Sequence, residues 1–194
     1  MSKAADQALT PTEAAPPPQD LQPPFDTLPR IGEFRGHTLV WLLDQHKSPA
    51  VREALMAFWS SHGAIADAAS AWRRTFEVGV VALDPRGQIA GVTSVYIDHL
   101  AFDGQPYWFF RTFVRPRSRL IGMMPAMFQG TFARLALDYA GEPGAPVGIA
   151  AVTENPKLDT PAGNRIYHRI GLRLLGTNPR GLRVWRRLFA DASP

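Results

Sequence analysis

The sequence predicts an α/β domain of 164 residues behind a Pro-rich arm, and three observations carry that prediction. Seven of the 18 prolines, Pro11, Pro16, Pro17, Pro18, Pro23, Pro24 and Pro29, lie in the first 30 residues. Beyond them, short β-branched and aromatic runs alternate with segments whose apolar residues repeat at helical spacing. The strongest of these segments, Met124 to Ala140, keeps the repeat through Met124, Met127, Phe128, Phe132, Leu135 and Tyr139.

The arm, residues 1–30, offers only Leu9, Leu21, Phe25 and Leu28 as sizeable apolar side chains, too few to offset the entropy of ordering it. It is expected to be disordered or polyproline-like, a solvated extension rather than a docking arm. Lys3 and Arg30 against Asp6, Glu13, Asp20 and Asp26 leave it at −2, so the 19 basic and 13 acidic residues of 31–194 carry +6. It has the pattern of neither a signal nor a transit peptide.

The first strand is expected over Thr38 to Leu43, followed by a helix opened by Pro49 over Val51 to Ser61. A second helix, Ala64 to Phe76, is expected to bury Ile65, Ala68, Ala69, Trp72 and Phe76. Val78 to Leu83 and Ile89 to Leu100 form an antiparallel hairpin across Asp84-Pro-Arg-Gly87. The aromatic run Tyr107 to Val114 suits a central strand buried on both faces, interrupted by Arg111. After the long helix come a strand at Val147 to Val152 and a short helix at Asn164 to Ile170. Leu172 to Leu175 and Leu182 to Phe189 then form a closing pair of strands.

The absence of Cys excludes a disulfide scaffold, a thiolate zinc site and a cysteine nucleophile. No metal site is expected, because the five histidines show no metal-ligand spacing. Nucleophile-elbow, Walker and dinucleotide glycine motifs are likewise missing. No apolar run approaches the roughly 18 residues of a membrane span, so no membrane partner is expected and the protein reads as soluble and cytoplasmic. Seven arginines between Arg165 and Arg187 raise nucleic-acid binding, but the apolar residues among them fit a closing strand with one solvated face.

The loop Val114 to Met124 joins the aromatic strand to the long helix. It carries Arg115, Arg117 and Arg119, has Gly122 at the helix start, and meets no Asp or Glu between Gln105 and Leu137. A helix N-terminus with unpaired N–H groups stabilises an anion, so a phosphate or pyrophosphate site is one reading. A basic surface loop feeding an ordinary helix is the other.

The element order, Val114-x-Pro116, Arg119-Leu-Ile-Gly122-Met-Met124 and Tyr167-His-Arg-Ile-Gly171-Leu172 together resemble the GCN5-related N-acetyltransferase superfamily over roughly residues 32 to 190. The resemblance implies a mixed, mostly antiparallel central sheet flanked by helices, with acetyl-CoA or another acyl-CoA as co-substrate. It places Phe113 and Val114 against pantetheine and wraps the pyrophosphate with Arg119, Leu120, Ile121, Gly122, Met123 and Met124. Met124 stands where Gly or Ala is usual, narrowing the phosphate approach unless its side chain turns inward. Asn155 matches the second motif, in which Tyr167 protonates the departing thiolate; the alternative for Tyr167 is a core position against the long helix. The strand also bears a fainter likeness to acyl-homoserine-lactone synthases.

Transfer to an amine needs a proton acceptor. The aromatic strand holds no carboxylate, so Glu154 is the nearest candidate by sequence, followed by Asp98 and His99; each is otherwise an exposed strand-end residue. Arg111 either projects into the acceptor cleft, to hold a carboxylate or phosphate, or pairs with an internal acid such as Asp98. The expected activity is N-acyl transfer to an amine-bearing small molecule or peptide, by a monomer or homodimer. The alternative is a non-catalytic acyl-CoA-binding or interaction domain of the same fold.

Overall fold

The computed structural model describes residues 25 and 27–191. One eight-stranded sheet runs through it in the order β1-β2-β3-β4-β5-β6-β8-β7. Its strands are β1 (Arg30–Phe34), β2 (His37–Trp41), β3 (Val78–Leu83), β4 (Ile89–His99), β5 (Pro106–Val114), β6 (Gly148–Val152), β7 (Arg173–Thr177) and β8 (Arg183–Leu188). Every neighbouring pair is antiparallel except β5 and β6.

Alternation sorts side chains onto two faces. On one, α3 (Met123–Tyr139) and α4 (Pro161–Arg169) cover Val80, Val95, Trp108, Phe110, Ala151 and Trp185. On the other, α1 (Pro49–Ser61) and α2 (Ala68–Thr75) cover Val40, Val78, Val81 and Val92. The register of α3 is fixed by a buried relay: the Val80 N–H donates to Thr93 Oγ1 at 2.8 Å, Thr93 Oγ1 lies 3.1 Å from Thr131 Oγ1, and the Thr131 hydroxyl donates to Met127 O at 2.9 Å.

The sequence expectation missed β1, a five-residue edge strand with no fully buried residue and containing Gly32 and Glu33, too weakly patterned to stand out. The second helix is shorter than expected and turned about its axis: it buries Ala71 and Thr75, while Trp72 and Phe76 are 46% and 52% exposed. Arg52 explains the inversion, its guanidinium lying 5.1 Å from the Trp72 ring centre and 4.0 Å from that of Phe76.

The boundary expected at residue 30 also moves. Phe25 is buried in the core on the α1–α2 side of the sheet, the Leu28 N–H donates to Phe25 O at 3.1 Å, and Arg30 already belongs to β1. Residues 1–24 of the expected arm lie outside the described residues. Phe25→Ala is therefore expected to destabilise the domain by about 3–5 kcal/mol, the cost of deleting a fully buried ring. Urea denaturation checks this, and a loss below about 1 kcal/mol contradicts it.

Lys47 is buried before α1, with its ammonium donating to Leu43 O at 2.9 Å. Burial first, and then Arg52, push it from 10.5 to about 8, with Asp44 opposing. Between those values the unfolded chain holds a proton that the folded chain has released, so stability rises with pH across that window. Wild type is expected to gain on the order of 1–3 kcal/mol between pH 7.5 and 9.5 relative to Lys47→Met. Parallel denaturation profiles for the two proteins contradict the assignment.

Candidate functional site

The parallel pairing of β5 with β6 covers only Trp108–Ile149, Phe109–Ala150 and Phe110–Ala151, after which the strands separate. The next ladder acceptor on β6, Val152 O, instead takes the Glu154 N–H at 3.0 Å as the chain turns away. β5 continues to Val114, held along its other edge by β4. Its second half is accordingly only partly buried, contrary to the expectation of burial on both faces, because the neighbour needed to complete the sheet has left.

The direction of the freed backbone groups follows from the register. The Arg115 N–H donates to Ala90 O at 3.0 Å, and antiparallel partners exchange bonds at every second residue. Arg111 and Phe113 thus turn their backbone groups to β4, whereas Thr112 and Val114 turn theirs to the gap. Arg119 Nε donates to Val114 O at 3.1 Å, which leaves the Thr112 and Val114 N–H groups facing the opening. Phe113 contributes its ring instead, packed edge-on to Phe58 at 5.6 Å.

A cleft of about 250 Å³ threads this gap from one face of the sheet to the other. Met124, Leu158 and Tyr167 line it on the α3–α4 side; Trp59, Ile65, Arg74 and Arg111 line it on the α1–α2 side; Glu154 and Asn155 stand where β6 ends.

At the start of α3, Gly122 adopts φ 94°, a left-handed conformation that glycine accepts without strain. The Met123 N–H is spent on Leu120 O at 3.0 Å, and Pro125 has none. The N–H groups of Ile121, Gly122 and Met124 have no acceptor among the described residues. Met123 is buried in the core and Met124 packs against it, so neither side chain covers these donors. Leu120 and Ile121 are exposed.

Two of the three loop arginines remain on the surface. Arg115 is buried, with its guanidinium paired to Asp84 and its Nε donating to Ser118 Oγ at 2.7 Å. The expectation of a loop without competing acids overlooked Asp84, which the β3–β4 turn brings back beside the end of β5. The other Asp84 oxygen accepts the Arg86 and Gln88 N–H groups at 2.9 and 3.0 Å. These bonds outweigh burial and hold the carboxyl below its ordinary value.

Tyr167 is both a core residue and a lining residue. Its ring stacks on Trp185 at 4.8 Å and 22°, and it reaches the cleft. Burial raises the Tyr167 hydroxyl above its usual 10.0, with Thr153 opposing, so the group stays protonated through the neutral range.

Arg111 does not pair with Asp98. It lies 3.3 Å from Glu77 and stacks 4.0 Å over Tyr96, while lining the cleft. Arg74 lies 4.0 Å from the same carboxylate, and burial together with Arg111 pushes its guanidinium down. Sequence reasoning missed Thr112, Arg74 and Glu77. The strand register exposes the first, and the last turn of α2 and the short loop to β3 deliver the other two.

Glu154 pairs with Arg180 at 3.3 Å across largely exposed side chains. Asn155 Oδ1 accepts the Lys157 N–H at 3.0 Å and so shapes the turn leading to α4. Asp98 and His99 do not line this cleft but a second cavity. Three of the C-terminal arginines are held by other side chains: Arg183 by Asp159, Arg186 by Asp103, and Arg187 by Gln129. Among the described residues no helix is long and apolar enough to cross a membrane.

The comparisons define the fold. No family model and no curated protein matches the chain. Solved structures do. The ribosomal-protein-S5-alanine acetyltransferase from Vibrio fischeri matches with a TM-score of 0.57 at 11% identity, over 84% of this chain and 98% of that one. The GNAT superfamily phosphinothricin acetyltransferase from Sinorhizobium meliloti, in complex with AcCoA, also gives 0.57, at 16% identity over 79% and 88%. A ribosomal L7/L12 alpha-N-protein acetyltransferase in complex with coenzyme A gives 0.53 at 12% identity, over 82% and 98%. The chain has the GNAT acyltransferase fold, a mixed and mostly antiparallel sheet flanked by helices.

Proposed function

We propose that this protein is an acyl-CoA-dependent N-acyltransferase that acts on an amine of a small molecule or peptide. The observation that carries the reading is the succession of two sets of unpaired backbone donors, at Thr112 and Val114 in the gap and at Ile121, Gly122 and Met124 at the start of α3. Such a row suits a ligand with an extended amide arm and a pyrophosphate. Acetyl-CoA, or another acyl-CoA of the same form, supplies an activated acyl group as a thioester.

The chain's residues then divide the work. The Val114 edge orients the amide arm, while the helix-start donors and Arg119 neutralise phosphate charge. The Thr112 N–H stabilises negative charge as it develops on the thioester oxygen. Glu154, directly or through water, accepts a proton from the attacking amine nitrogen. As the new C–N bond forms and the C–S bond breaks, Tyr167 gives its hydroxyl proton to the departing sulfur. Arg111 holds an acceptor oxygen on the α1–α2 side, opposite the donor.

A thermal-shift titration with acetyl-CoA, followed by free-thiol release over a panel of amines, tests the reading. Stabilisation and amine-dependent thiol release are expected. Stabilisation without release selects the acyl-CoA sensor, and the absence of any shift with acetyl-, succinyl- or long-chain acyl-CoA contradicts the proposal.

A further inference from the structure

A second cavity, of about 370 Å³, continues the cleft along the α1–α2 side of the sheet. Val152 is a wall of both cavities, and Arg111 and Phe109 point to the same face of β5, so a ligand leaving Arg111 passes next over Phe109. The lining changes character on the way. Around the gap it is charged, with Arg74, Arg111 and Glu154; beyond Val152 it is largely apolar, with Phe102, Phe109, Pro179 and Val184. Phe102 stands at this cavity 48% exposed. Asp98 adds a carboxylate that pairs with no cation among the described residues and accepts only the His99 N–H. The Glu154–Arg180 pair links the end of β6 to the β7–β8 turn, and with both side chains more than 60% exposed it is a weak tie that a ligand displaces cheaply.

We infer that the acceptor is the amino terminus of a peptide, with an apolar side chain at its third residue seated in this second cavity. The inference rests on the acyl-transfer reading for the position of the reacting amine. From Thr112 to Phe109 is three residues, about 10 Å of strand. An extended peptide advances roughly 3.3–3.6 Å per residue and turns its first and third side chains to the same side. With its amine at the gap, the third side chain falls over Phe109. Arg111 then meets the first peptide carbonyl, and Asp98 faces the N–H groups further on.

Titration calorimetry of the full chain in the presence of coenzyme A tests this with alanyl-alanyl-phenylalanine amide, alanyl-alanyl-serine amide and 4-phenylbutylamine. The phenylalanine peptide is expected to bind at least roughly tenfold more tightly than the serine peptide. Phe102→Ala is expected to abolish most of that difference. Equal affinities, a preference that survives in Phe102→Ala, or tighter binding of the arylalkylamine than of either peptide overturns the inference. Thiol release with glycinamide is read separately. Release without the binding preference fails this inference alone, whereas the preference without release from any amine, the phenylalanine peptide included, fails the acyl-transfer reading and with it the acceptor role, leaving the cavity as a peptide-binding site.

Discussion

Tyr167→Phe is expected to lower kcat by roughly 10²–10⁴, the contribution of a well-placed general acid, with KM for acyl-CoA nearly unchanged. The substitution keeps the ring that stacks on Trp185 and removes only the hydroxyl. A structural role would therefore leave kcat intact, whereas a proton donor cannot be replaced by the ring. Two further readouts separate these cases. Burial raises the hydroxyl above 10.0, so the wild-type rate is expected to hold to alkaline pH and to fall only beyond that value, while the variant lacks the limb. The defect is also expected to shrink with an acetyl thioester of an acidic aryl thiol, whose thiolate departs without a proton. A variant with wild-type kcat, or an equal defect with both leaving groups, contradicts the role.

The second large effect is expected at Gly122. A β-carbon there would lie 2.9 Å from Phe34 Cζ, on a backbone at φ 94° that side chains rarely adopt. Gly122→Val should cost about 1–3 kcal/mol of stability through that strain. It also rotates the donors of Ile121, Gly122 and Met124 away from a common target. Losing even one hydrogen bond to a charged phosphate weakens coenzyme A binding by roughly tenfold or more. S-acetyl-pantetheine, which has no pyrophosphate, should bind wild type and variant alike. Equal loss for both ligands would mean that the substitution distorts the gap rather than the phosphate cradle.

Much of this site was legible in the sequence because it rests on local chemistry. Gly122 ahead of a long amphipathic helix announces a helix start with spare donors, and Tyr167 four residues before Gly171 announces the end of a short helix. The positions of the strands after β1 followed from β-branched and aromatic runs. What stayed hidden depends on register and on contacts between distant segments. Thr112 becomes a donor only because β6 departs after Ala151, a matter of pairing that no single strand encodes. Arg115 looked available for a ligand because its partner, Asp84, is 31 residues earlier in the chain. Trp72 and Phe76 carry the apolar periodicity of a buried face, yet α2 turns them outward onto Arg52, and the smaller Ala71 and Thr75 go inside. The arm's boundary moved for the same reason, since Phe25 joins the core on the α1–α2 side of the sheet, a contact that composition cannot reveal.

Whether an acyl-CoA threads the gap between β5 and β6 is tested most directly by a crystal structure of the full chain with acetyl-CoA. Density is expected to enter at the start of α3, with the pyrophosphate on the N–H groups of Ile121, Gly122 and Met124 and the thioester oxygen on the Thr112 N–H beside the Tyr167 hydroxyl. Density elsewhere on the molecule, or none at saturating acetyl-CoA, contradicts it.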